Sequence, residues 1–145
     1  MILSQQQLFS DSQAVTADAI SENVIDLGVR GTPYDGAAAL IGDKGKGTPV
    51  PILVQVVEDF ATLTSLTVTL ETSANADLSS STVLATETIL LADLVAGKQT
   101  FMQVLPNGVT GRYLGLRYNV NGSDATAGAV TAGISMGNQT NQYGA

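Results

Sequence analysis

The residues of this sequence that could perform acid–base chemistry are three glutamates in or near apolar segments, Glu58, Glu71 and Glu87. Paired carboxylates can act as general acid and base in glycoside hydrolysis. However, the chain has no Trp and only four Tyr, whereas sugar sites usually need flat aromatic surfaces. Cys and His are absent, which excludes thiol nucleophiles, His-based triads and zinc sites built from those residues. We therefore predict that the protein is not an enzyme and has no catalytic residues.

Two short segments are similar to known ligand-binding loops, but each lacks residues that such a loop needs. The segment 42–48 has the glycines and lysines of a phosphate-binding loop. Such a loop needs Lys directly before Ser or Thr, whereas here Gly47 intervenes and Pro49 precedes a predicted strand. Asn75 and Asp77 offer oxygen ligands for Ca²⁺, but the full ligand set is missing and such clusters usually form turns. We predict no cofactor and no metal.

The charge balance bears on the possible partners. The chain of 145 residues has a net charge of −7, and its six basic residues are spread along it without forming a stripe. A surface that follows a phosphate backbone needs clustered cations, so we expect no nucleic-acid partner. The first residues carry no positive charge, and the chain has no long apolar run. We therefore expect no signal peptide and no membrane partner.

An alternation of apolar and polar residues predicts β-strands. In the segment 66–71, Leu66, Val68 and Leu70 face one way and the polar residues between them face the other. Similar patterns, bounded by turn residues, predict eight strands at 13–17, 22–28, 50–58, 66–71, 82–91, 99–105, 114–120 and 130–136. We expect 82–91 to pair with 99–105, and 114–120 to form a hairpin with 130–136 through a turn that opens at Asn121-Gly122.

Eight short strands without a long helical period predict an all-β fold. We expect a single domain, a jelly-roll-like antiparallel β-sandwich of about eight strands, spanning residues 11–136. The segments 74–81 and 92–96 could each hold a helical turn. Closed barrels of this length would need a more even strand spacing.

Three segments lie outside the strand pattern: an N-terminal arm at 1–10, a long Gly-rich loop at 29–49 and a polar tail at 137–145. Loops this long are uncommon in compact domains unless they are functional or disordered. The apolar residues of the arm either pack on their own core or dock on a neighbour. From these segments we select ten candidate interface residues: Ile2, Leu3, Leu8, Phe9, Arg30, Tyr34, Leu40, Ile41, Lys44 and Tyr143.

The order of several short blocks resembles the capsid cement (decoration) proteins of tailed bacteriophages, of the Bordetella-phage type. The blocks are Met1-Ile2-Leu3, Leu8 to Ala14, Glu22 to Gly28, Leu70 to Ser73, Leu94 to Gly97, Leu105-Pro106, Arg112 to Tyr118 and Thr126 to Gly133. The resemblance covers most of residues 1–136. It departs in the 29–49 loop, which is longer and richer in Gly, and in the tail.

The resemblance implies a jelly-roll domain that forms a homotrimer. It also implies that the trimer binds the major capsid protein on the outer surface of the virion, at threefold and quasi-threefold junctions, and stabilises the shell against internal DNA pressure. The alternative that the residues leave open is a glycan- or receptor-binding β-sandwich on a virion or cell surface.

Overall fold

The structure is a computed structural model that describes residues 3–40 and 42–136. Its strands are β1 (Leu3–Ala14), β2 (Ala19–Ile20), β3 (Ile25–Asp26), β4 (Pro51–Ser73), β5 (Thr82–Leu90), β6 (Gln99–Val104) and β7 (Tyr113–Ser135). A short 3₁₀ helix, Leu91–Asp93, follows β5, close to the predicted helical turn at 92–96, whereas 74–81 forms bends and turns. None of the helical structure in these residues is long and apolar enough to cross a membrane.

The two long strands form the centre of one antiparallel sheet. Strand order is β1-β7-β4-β5, with β2 and β3 also paired to β7 and β6 also paired to β4. β4 and β7 pair along their whole length, from Ile52 opposite Ile134 to Ser73 opposite Tyr113. The register shifts lie between Val56 and Ser65 and divide each long strand into two halves. The halves of β4 are 51–58 and 63–73, and those of β7 are 113–122 and 127–135.

The sheet folds over on itself at these register shifts. Ser10 pairs with Ala132 in the second half of β7, yet its hydroxyl lies 2.8 Å from the hydroxyl of Tyr118 in the first half. If β7 were straight, Tyr118 and Ala132 would be about 45 Å apart. The backbone N–H of Asn23 also donates to the carbonyl of Phe9 in β1. The two halves of the sheet therefore face each other as two layers.

The two layers have the connectivity of a jelly roll. One layer contains β1, the second half of β7, the first half of β4, and β6; the other contains β2 with β3, the first half of β7, the second half of β4, and β5. Counting β2 with β3 as one position and each long strand as two gives eight positions, four in each layer. The predicted all-β, jelly-roll-like antiparallel sandwich is confirmed.

Two predicted pairings are wrong. The segments 114–120 and 130–136 do not form a hairpin, because they are successive parts of β7 and both pair with β4. Gly122 lies instead at a register shift, with φ +93°, and a Cβ there would collide with the side chain of Thr64. Likewise β5 and β6 do not pair with each other but follow one another along the same edge of β4.

The core lies between the two layers. Leu66, Val68 and Leu70 are fully buried, as their alternation predicts. They share one apolar cluster with Val54 and Val56 from the opposite layer. Burial of each such side chain stabilises the fold by about 1.5–3 kcal/mol. This shared cluster explains why the sheet folds over instead of remaining flat.

The N-terminal segment is part of the sheet. The sequence pattern predicts an arm at residues 1–10, outside the sheet, but β1 begins at Leu3 and pairs with β7 from Ser135 to Ala129. Phe9 is fully buried in the core and Leu3 and Leu8 are half-buried. The choice between packing on its own core and docking on a neighbour is therefore decided for Phe9, which packs on its own core.

Candidate interaction surface

The segment between β3 and β4, residues 27–50, crosses from one layer to the other at one end of the sandwich. The turn between β6 and β7, residues 105–112, crosses at the same end. The backbone N–H of Leu27 donates to the carbonyl of Arg112, and the N–H of Lys44 to that of Val109. The long loop is therefore placed against a second, shorter crossing, and the two form one continuous surface.

Asp43 attaches the loop to the shorter turn. Its carboxylate accepts hydrogen bonds from the backbone N–H groups of Gly108 at 2.7 Å, Gly45 at 2.9 Å and Val109 at 3.0 Å. The hydrogen bond from Gly108 is the largest of the effects that lower the pKa of Asp43 below its ordinary value. A Cβ on Gly45 would overlap the carbonyl of Pro106, so this close approach requires glycine.

An ion pair holds the start of the loop. The guanidinium of Arg112 donates to both carboxylate oxygens of Asp26, at 2.9 and 2.7 Å, and lies 5.0 Å from the ring centre of Tyr113. The N–H of Gly28 donates to the same carboxylate. The hydrogen bond from Arg112, followed by that from Gly28, lowers the pKa of Asp26 to about 2. The base of the loop is therefore tied to the first residues of β7.

A pocket of about 350 Å³ opens between the loop and the turn. Its apolar lining includes Leu27, Val29, Leu40 and Val109, and its basic lining consists of Arg30 and Lys44. The Arg30 guanidinium donates to the carbonyls of Gly42 and Thr110. The loop therefore brings together three predicted interface residues, Arg30, Leu40 and Lys44.

The loop also exposes large apolar side chains. The exposed fractions are 79% for Val29, 103% for Tyr34 and 58% for Leu40. Tyr34 lies in a turn in which the N–H of Gly36 donates to the carbonyl of Pro33. Exposed aromatic and apolar side chains near cations are typical of surfaces that bind other proteins.

The six side-chain cations divide into two groups. Lys98, Arg112 and Arg117 form ion pairs with Asp93, Asp26 and Glu71, respectively. Arg30, Lys44 and Lys46 form no ion pair with any carboxylate in the described part of the chain; Lys46 makes only a longer-range attraction to Asp43. All three lie in the loop. In a chain with a net charge of −7, this end of the sandwich therefore concentrates unpaired positive charge.

The three glutamates considered for acid–base chemistry are not brought together as a catalytic pair. Glu58 is exposed at the fold of β4, and Glu87 lies on β5 opposite Val68. Glu71 is buried, and its carboxylate is compensated by Arg117, which donates to both oxygens at 2.9 and 3.0 Å, and by the Ser81 hydroxyl. Glu71 is therefore held in a structural ion pair beneath the 74–81 segment.

The two segments that are similar to ligand-binding loops both form hydrogen-bonded turns. Residues 42–48 form the turn that Asp43 attaches, and β4 follows them. The carboxylate of Asp77 accepts hydrogen bonds from the N–H and the hydroxyl of Ser79, so this cluster forms a turn. Across residues 3–40 and 42–136, no group of acidic side chains is arranged to hold a metal ion.

Three candidate interface residues, Ile2, Ile41 and Tyr143, lie outside the described residues. Sequence reasoning did not identify the two carboxylates that shape this surface, Asp26 and Asp43. An Asp followed two residues later by Gly, as in both Asp26-Leu27-Gly28 and Asp43-Lys44-Gly45, is a turn signal that could have identified them.

Comparison with known proteins gives one family. The Bbp16 family model matches residues 9–134, a range that runs from β1 to the end of β7 and includes the whole loop. The name of the family suggests a Bordetella phage protein. A search of curated proteins finds no match. Since the matched range covers far more than half of the 145 residues, the chain belongs to the Bbp16 family.

Proposed function

We propose that this protein is a capsid cement protein that binds the outer surface of an icosahedral phage shell. In this proposal it is a homotrimer, located at threefold and quasi-threefold junctions of the major capsid protein, and it stabilises the shell against the pressure of packaged DNA. The single observation that carries the proposal is the Bbp16 family match over residues 9–134, which is compatible with a phage structural protein.

The fold supports a binding role. The loop surface exposes Val29, Tyr34 and Leu40 while its base is fixed by Asp26 and Asp43. A surface that is held in place before binding loses less conformational entropy when it docks. We propose that the protein acts through such contacts and is not an enzyme.

The net charge of the chain supports a position outside the shell. A chain with net charge −7 is repelled by DNA, so we propose no nucleic-acid partner and no membrane partner. A ligand that binds only the assembled lattice stabilises that lattice by mass action. A trimer that contacts several capsid subunits also dissociates slowly, because its contacts are linked.

The test compares virions that carry this protein with virions that lack it. Both are heated gradually, and release of DNA is followed with a dye that cannot enter intact shells. The proposal expects release at a lower temperature without the protein, and recovery when purified protein is added back. Equal release temperatures would refute the stabilising role.

A second measurement tests the assembly. Sedimentation equilibrium of the purified chain should give the mass of a trimer of the 14.9 kDa subunit. A monomer at all concentrations would contradict the trimer.

A labelled antibody should also reach the protein on intact virions, since the proposed position is external. Failure to label would contradict that position.

A further inference from the structure

The distribution of charge on this molecule is uneven in a way that bears on recognition. Every side-chain cation outside the loop is ion-paired, whereas Arg30, Lys44 and Lys46 have no carboxylate partner among the described residues. Lys44 and Lys46 are both exposed. An unpaired cation on an acidic protein attracts acidic groups of another molecule, which its own surface does not supply.

The pocket between the loop and the 105–112 turn is lined by both basic and apolar side chains. Arg30 and Lys44 line it together with Val29, Leu40 and Val109. Arg30 is positioned by its hydrogen bonds to backbone carbonyls, and no carboxylate among the described residues pairs with it. Its charge is therefore oriented but not neutralised, and an incoming carboxylate could form a charge-assisted hydrogen bond with it.

We infer that the loop surface, comprising Val29, Arg30, Tyr34, Leu40, Lys44 and Lys46, binds an acidic peptide segment that also carries apolar side chains. The carboxylates of the segment pair with the three cations, and its apolar side chains enter the pocket beside Val29 and Leu40. The inference rests on the proposed function, because the segment then belongs to the major capsid protein.

A protein segment suits this surface better than a nucleic acid. Besides Arg30 and Lys44, the pocket is lined by aliphatic side chains, which pack against apolar residues of a peptide but offer no hydrogen bonds to phosphate or base edges. A nucleic acid carries a negative charge at every phosphate, whereas an acidic peptide needs carboxylates only opposite the three cations. The net charge of −7 therefore opposes a continuous phosphate backbone more strongly than a peptide with few carboxylates.

The first test uses the full chain and a short peptide of alternating Asp and Leu, followed by shifts of backbone amide resonances in NMR. The expected shifts are confined to the loop and to the 105–112 turn. Lys44→Glu should weaken binding by about tenfold or more. Lys98→Glu makes the same change in net charge, at a cation outside the surface, and should leave binding within about twofold.

Three results would overturn the inference. The first is a peptide of alternating Asn and Leu that binds as tightly as the Asp version, because binding would then not depend on charge. The second is a Lys44→Glu variant that binds as the original chain does. The third is tighter binding of a single-stranded oligonucleotide at the same amides, which would identify a general polyanion site.

The second test uses capsids that lack the protein, and it separates the inference from the proposed function. Co-sedimentation of the original chain tests the function, and the loss caused by Lys44→Glu but not by Lys98→Glu tests the surface. If the original chain and both variants bind capsids equally, the surface is wrong and the function stands. If none binds capsids while the peptide result holds, the surface stands and the proposed function falls.

Unfolding temperatures show whether each variant remains folded, so that a loss of binding can be assigned to the surface. Lys44 makes no side-chain hydrogen bond or ion pair within the described residues, so Lys44→Glu should melt within a few degrees of the original chain. Lys46→Glu provides a second variant at the same surface and should weaken peptide binding in the same direction.

Discussion

Replacing Phe9 by alanine tests whether the N-terminal segment is part of the core. The side chain is fully buried in the cluster that joins both layers. Truncation of a buried Phe to Ala costs about 3–5 kcal/mol, since apolar contacts are lost and a cavity remains. We take the upper half of that range, about 4–5 kcal/mol, because Phe9 has no exposed surface through which the site could relax.

The assay is chemical and thermal unfolding of the full chain. For a domain of this size, 1 kcal/mol corresponds to about 3 °C in the midpoint, so the expected decrease is about 12–15 °C. Such a loss is a large fraction of the 5–15 kcal/mol free energy of unfolding of typical domains. The less disruptive Phe9→Leu should avoid more than half of this loss. Leu40→Ala, at an exposed loop position, is the matched control and should change stability by less than about 0.5 kcal/mol.

A loss below about 1 kcal/mol for Phe9→Ala would refute this reasoning. So would a loss that appears only at protein concentrations where subunits associate. The second result would mean that Phe9 contacts a neighbouring copy and not its own core. The experiment therefore tests in solution the core position that the structure gives to Phe9.

Two further predictions concern ion pairs at the ends of the layers. Arg117→Ala should cost about 3 kcal/mol in urea unfolding, because it leaves the buried carboxylate of Glu71 without its cation. Arg112 lowers the pKa of Asp26 from the ordinary 3.8 to about 2. Ionised Asp26 therefore stabilises the folded state fully above about pH 4, and this stabilisation is lost as the pH falls through 2. Asp26→Asn should therefore reduce the loss of melting temperature between pH 4 and pH 2.

Each of these has its own control. Arg117→Ala combined with Glu71→Leu should recover part of the stability, and no recovery would mean that the cost is not electrostatic. Arg112→Ala removes the guanidinium that lowers the pKa of Asp26 and should reduce the same loss of melting temperature. An Asp26→Asn curve that coincides with that of the original chain would contradict the role given to the Asp26–Arg112 pair.

Local patterns predicted much of the fold because they depend on neighbours along the chain. The alternation of Leu66, Val68 and Leu70 correctly marked the core face of a strand. The same pattern placed Glu71 on the outward face, where it does lie, but not its burial. Its burial depends on Arg117 and on the 74–81 segment, which alternation within one strand cannot report.

The candidate surface was predicted in part. Arg30, Leu40 and Lys44 were selected from the loop and meet at one pocket. Phe9 was selected from the arm and lies in the core. Both selections came from the same evidence, namely an apolar or charged residue outside the strand pattern. Only packing against residues distant in sequence separates the two outcomes.

The sequence by itself determined the class of the fold, the inward face of its clearest strand and the absence of Cys and His chemistry, because composition and a two-residue period express these directly. Only the tertiary structure decided which segments pair. The segments 114–120 and 130–136 looked like a hairpin, but they join end to end in β7 because β4 provides a partner for both. The tertiary structure also pairs Arg112 and Arg117 with carboxylates on distant strands, and Lys98 with nearby Asp93, whereas Arg30, Lys44 and Lys46 have no carboxylate partner among the described residues. Pairing depends on which surfaces can be buried together, and that is a property of the whole chain.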